Sequence, residues 1–145
     1  AQPAVSVSLC RDDGVYEGGC ELTAKWRISR VTLDSLAAIE TSVLWYTEGK
    51  GDTDLHVHHF QRLDEEQIRR SGLADEQSLT CLLPATPLSY HGRIIRLRWC
   101  VRMRLFLSDG REIVTEQPFY LVAPQSNQNG WASVVGEERR GRPSG

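Results

Sequence analysis

The chain has 145 residues, 40% of them hydrophobic and 25% charged, with a net charge of −2. That is one domain's worth, enough to bury about two-thirds of the unfolded surface around one core, and the composition argues against a wholly disordered chain. The near-neutral balance gives no global pull toward nucleic acid or a membrane, and no apolar run approaches the ~20 residues a membrane helix needs.

In chain order the pattern is strand after strand. Ala4 to Cys10 alternates around Val5, Val7 and Leu9, and Gly18-Gly19 makes a turn. Cys20 to Ser29 puts Leu22, Ala24, Trp26 and Ile28 on one side and Glu21, Thr23, Lys25 and Arg27 on the other. Ile39 to Tyr46 is a β-branched and aromatic run that stops at Glu48-Gly49-Lys50-Gly51-Asp52. Leu55 to Leu63 reads as a shorter, more polar strand. Asp64 to Ser71 is the helical candidate: Asp64 caps the first turn, Gln67 holds the reciprocal capping-box position and Gly72 stops it. Ser78 to Leu83 is apolar and ends at Pro84.

The longest signal is Ile94 to Leu107. Ile95, Leu97, Trp99, Val101, Met103, Leu105 and Leu107 fall on one side, and Arg96, Arg98, Cys100, Arg102, Arg104 and Phe106 on the other. Period 2 over this length marks a strand of roughly 45 Å with one buried and one wet face. Ser108-Asp109-Gly110 turns the chain, and Glu112 to Val122 reads as the returning partner, so the sheet is expected to be antiparallel.

About seven strands at short spacing with one small helix predict an antiparallel, immunoglobulin-like β-sandwich, with Trp26, Trp45 and Trp99 as large core residues. The sandwich is expected over residues 1–124. From Gln125 to Gly145 the composition shifts to Gln, Asn, Gly, Ser and Arg, which reads as a tail that is flexible or held by a partner. The first residue is Ala, which reads as a processed, trimmed or fragment start.

Leu83-Pro84, Pro87, Ser89, Tyr90 and Gly92, followed by Trp99 and the run Val101 to Leu107, resemble the arrestin-like family, where such a segment precedes a strand carrying a Trp. The stretch CELTAKWRI resembles an early strand of that family and EQPFYL its closing strand, so the resemblance covers about Val5 to Val122. Physically, Pro84 and Pro87 cannot extend a ladder, and Gly92 permits a turn that a Cβ would hinder. The resemblance implies a β-sandwich that acts as a scaffold or adaptor. It does not carry over the phosphate-sensing charges of receptor arrestins, which have no evident counterparts here.

The sharpest candidate site is the row Arg96, Arg98, Arg102 and Arg104, because guanidinium groups about 6.6 Å apart along one face suit carboxylate or phosphate partners. The competing arrangement is cross-strand pairing, for which Glu112 and Glu116 on the returning strand are available. His56 and His58 share one side of a strand by parity and His59 points away; a metal would need a third ligand, and none is expected. Cys10 and Cys20 could face each other across the first hairpin, though small buried thiols are the plainer reading of all four cysteines. There is no G-x-S-x-G elbow, phosphate loop or H-E-x-x-H, so neither a catalytic site nor a cofactor is expected. The expected function is a non-catalytic protein-interaction module or assembly subunit with a protein partner and no nucleic acid, in the cytoplasm. The alternative is a binding protein for anionic lipid headgroups, at a membrane surface, or for another anionic ligand.

Overall fold

The computed structural model describes residues 2–73 and 76–125. Its strands are β1 (Ala4–Leu9), β2 (Val15–Glu17), β3 (Glu21–Ser29), β4 (Leu36–Gly49), β5 (Leu55–Asp64), β6 (Gln77–Leu82), β7 (Tyr90–His91), β8 (Ile95–Leu107) and β9 (Glu112–Val122). The helix α1 (Glu65–Ser71) follows β5 without a break. Two sheets form from these: a small one ordered β1-β3-β6, and a large one ordered β2-β9-β8-β4-β5 with β7 paired to β8. The β-sandwich architecture is as expected. Among the described residues no helix is long and apolar enough to cross a membrane.

Pairing departs from a purely antiparallel scheme at one place. β2 runs parallel to β9, with Tyr16 opposite Leu121. After β1 the chain crosses to the large sheet for three residues, then returns as β3 to pair antiparallel with β1. Gly14 and Gly18 bracket this excursion, with Tyr120 N–H donating to Gly14 O at 2.9 Å and Gly18 N–H to Val122 O at 2.9 Å. A strand this short carries no readable alternation, so it is invisible to periodicity.

The parity of β8 holds over most of its length, although Ile95 at its start is 42% exposed. Trp99, Val101, Met103 and Leu105 are 0% exposed, facing the small sheet. They belong to two packed clusters. One surrounds Trp99 with Tyr16, Leu22, Val43, Phe119 and Leu121. The other joins Trp26, Met103 and Leu105 to Ile68, the residue by which α1 docks. Trp99 and Trp26 are core residues; Trp45 is only half-buried, with the His56 ring stacked on it at 4.4 Å.

α1 shows the predicted capping box: Gln67 N–H donates to Asp64 Oδ1 at 2.8 Å, and Asp64 N–H donates to Gln67 Oε1 at 2.8 Å. Gly72 closes it in the left-handed region at φ 77°. The tail expectation falls almost wholly on residues 126–145, which lie outside the described residues.

Candidate functional site

The outward face of the large sheet carries the arginine row, and most of it is paired. Glu116 lies opposite Arg102 in the β8–β9 ladder, and Arg102 Nε donates to Glu116 Oε2 at 2.7 Å. Arg104 Nη1 reaches Glu112 Oε2 at 3.4 Å, and Arg98 Nε reaches Glu48 Oε1 of β4 at 2.9 Å. One strand further out, Arg62 of β5 pairs with Glu40 of β4 and lies over the Phe106 ring. Opposite charges on adjacent strands produce this mesh across β5, β4, β8 and β9, with Arg102–Glu116 and Arg62–Glu40 in direct register and Arg98–Glu48 and Arg104–Glu112 on the diagonal. Arg96 is different. Glu48 lies opposite it in register but is engaged by Arg98, and among the described residues no carboxylate is within ion-pair distance of Arg96.

Beneath the charged groups the same face hides an apolar strip. Cys100 is 2% exposed, set in register between Leu44 and Pro118. Long arginine stems cover such positions while their heads stay wet. Burial, then the nearby Glu116 carboxylate, pushes the Cys100 thiol from an ordinary value near 9.0 up to about 12. Tyr46 is raised by the same two causes.

Among the described residues β5 is one of the two end strands of the large sheet, the other being the three-residue β2. The pairing of β5 with β4 slips between Val43 and Leu44, so that Val43 faces His59 while Leu44 faces Val57, and His58 is left over as a bulge. An extra residue reverses side-chain parity beyond it. His59, expected to point away from His56 and His58, is therefore on the same inward side, opposite the core residue Val43. Three neighbouring histidines thus face the second sheet. His56 stacks on Trp45, and His58 meets the Trp99 ring edge-on at 6.1 Å. His59 Nε2 is buried with no partner among the described residues. His91 belongs to β7, which flanks β8 on the side away from β4. Among the described residues no three His, Cys, Asp or Glu side chains are grouped to hold a metal ion.

The outward side of β5 offers a feature that sequence reading passed over. Leu55, Val57 and Phe60 are 46%, 50% and 51% exposed, although they sit in a strand judged polar. Three apolar residues among histidines and charges were visible in the sequence, but their exposure goes with the position of β5 at the end of the sheet, where no strand among the described residues lies beyond it. Cys10 is exposed and Cys20 half-buried, and both are free thiols, so the pairing left open for them is not formed. Cys81 and Cys100 are buried as small hydrophobes.

No protein-family model and no curated protein matches the chain. Among solved structures it is similar to Spo0M, a sporulation control protein from Bacillus subtilis, with 12% identity and a TM-score of 0.58. The match covers 86% of this chain and 51% of that one, so the chain spans about half the length of Spo0M. At this identity the likeness is one of fold, and the fold is the arrestin-like β-sandwich.

Proposed function

We propose that the chain is a non-catalytic protein-interaction module or assembly subunit that receives its partner along the free edge of β5. The observation that carries this reading is the combination of an end strand of 10 residues with half-exposed Leu55, Val57 and Phe60. Edge strands are ordinarily short, charged or covered, because their open N–H and C=O groups template a further strand. The His58 bulge and Arg62 blunt part of this edge, yet the apolar residues remain open. An extended partner segment would gain backbone hydrogen bonds from the edge and side-chain contacts from those residues. The test is a pull-down from the native source with the parent chain and with Val57→Lys/Phe60→Glu. A specific partner lost in the double variant supports the reading; the same partner retained by both places the interface elsewhere.

A second reading is a binding protein for anionic ligands on the arginine face, favoured by the one unpaired member of the row, Arg96. It predicts association that weakens as the Debye length drops from about 10 Å to about 3 Å with added salt. Replacing Arg96, Arg98, Arg102 and Arg104 by Gln should abolish that association. A salt-insensitive complex surviving the quadruple change would sink it.

A further inference from the structure

Next to Arg96 the large sheet splits. Phe119 is the last β9 residue in register with β8, opposite Trp99, while β7 pairs with β8 at Leu97 and Arg96. Ser89 holds the split open at its base: its N–H donates to Leu121 O at 2.9 Å, and Leu121 N–H donates to Ser89 Oγ at 2.9 Å. The result is a cavity of about 200 Å³ between β7 and the end of β9. Tyr90, Leu97, Phe119 and Tyr120 supply apolar lining, and Arg96, Arg98 and His91 line it with nitrogen donors. No Asp or Glu lines it among the described residues.

We propose that this cleft binds a small anion carried on a flat apolar body, namely a carboxylate or phosphate on an aromatic ring, with Arg96 holding the anionic group. The proposal rests on the second reading above and narrows it from a face to a site. Size sets the first limit. An apolar cavity of about 150 Å³ accommodates a benzene ring, so this one takes a ring and its charged substituent and little more. Charge sets the second. Arg96 has no carboxylate to release before it binds, whereas Arg98, Arg102 and Arg104 would each have to break an ion pair. The guanidinium fork matches carboxylate and phosphate oxygens in a two-point contact. A broad polyanionic surface fits less well, since the flat part of the row is neutralised by Glu112 and Glu116.

The experiment is a titration of the full ¹⁵N-labelled chain, followed by amide shifts, with phenyl phosphate, inorganic phosphate and benzyl alcohol. Phenyl phosphate should shift Arg96, Leu97 and Tyr120 saturably. Inorganic phosphate should bind about tenfold more weakly for lack of a ring to bury, and benzyl alcohol more weakly for lack of charge. Arg96→Gln should weaken phenyl phosphate about tenfold with the remaining spectrum intact, Arg96→Lys should fall between, and Arg104→Gln should change nothing. Undiminished binding by Arg96→Gln, or equal loss in Arg104→Gln, overturns the cleft. Shifts centred on Arg102 and Arg104 also overturn it but leave an anion-binding face standing. No response to either phosphate anywhere overturns both.

Discussion

His58 Nε2 lies 2.7 Å from the carbonyl oxygen of Leu82, so a side chain on the edge strand of the large sheet is tied to the edge strand of the small one. A carbonyl only accepts, which puts the ring proton on Nε2. The residue that makes this bond is the bulged one, aimed inward because it has no counterpart on β4. His58→Ala removes the bond and the edge-on contact with Trp99. Leu82 is exposed and its carbonyl can rehydrate, so the expected loss is about 1 kcal/mol, read as a lower urea midpoint with an unchanged slope. A loss near zero would show that the two edges do not need this tie.

Trp99 and Arg98 are adjacent in sequence and opposite in surroundings. Trp99 is 0% exposed and its Nε1–H donates to Pro87 O at 2.7 Å, anchoring the Pro84 to Ser89 segment to the core. Trp99→Ala should cost about 3–5 kcal/mol. Arg98→Ala breaks an ion pair whose two side chains are each 45% exposed, and should cost under about 1 kcal/mol. Equal small losses in denaturant melts would contradict the assigned faces.

The ion pairs of β8 should differ in strength along the strand. Arg102 is 18% exposed and meets Glu116 in direct register, while Arg104 and Glu112 are each 40% exposed and on the diagonal, since Arg104 lies opposite Val114. Less solvent screening should give the Arg102–Glu116 pair a coupling of about 1 kcal/mol in a double-mutant cycle to Gln, against a few tenths for Arg104–Glu112, about the size of an exposed pair. Equal couplings would mean that burial does not separate the two.

Cys100 should be inert and should shape alkaline stability. With its thiol near 12, iodoacetamide at pH 8 should leave it unmodified in the native chain while exposed Cys10 reacts. In the unfolded chain the thiol ionises near pH 8.5–9, so above that the native state binds the extra proton and stability falls as pH rises toward 12, by up to about 1.4 kcal/mol per pH unit. Cys100→Ala should flatten the decline between pH 9 and 11; an unchanged slope would assign it to the raised tyrosines, Tyr46 and Tyr16, instead.

Much of the architecture is legible in the sequence. The inward parity of β8, the turn at Ser108-Asp109-Gly110, and the Asp64–Gln67 capping box with its Gly72 stop depend only on neighbours a few residues away, and covalent geometry makes such patterns local. The same locality explains what periodicity missed. β2 and β7 have three and two residues, too few to alternate; β2 exists because β9, from the far end of the sequence, lies beside it, while β7 is the short arm of a hairpin with β8.

The candidate sites divide in the same way. That Arg96, Arg98, Arg102 and Arg104 share one face followed from the sequence alone, since successive side chains of an extended chain must alternate. Which of them is free was decided by tertiary structure. Glu116 meets Arg102 because of a strand register that no local pattern encodes, and Glu48, set opposite Arg96 by its register, turns diagonally to Arg98 instead. His59 makes the point most sharply: two-residue alternation sets it on the side away from His56 and His58, and a single unpaired residue in the β4–β5 ladder brings all three to one side. Parity is a property of one strand, while register, bulges and open edges are properties of pairs.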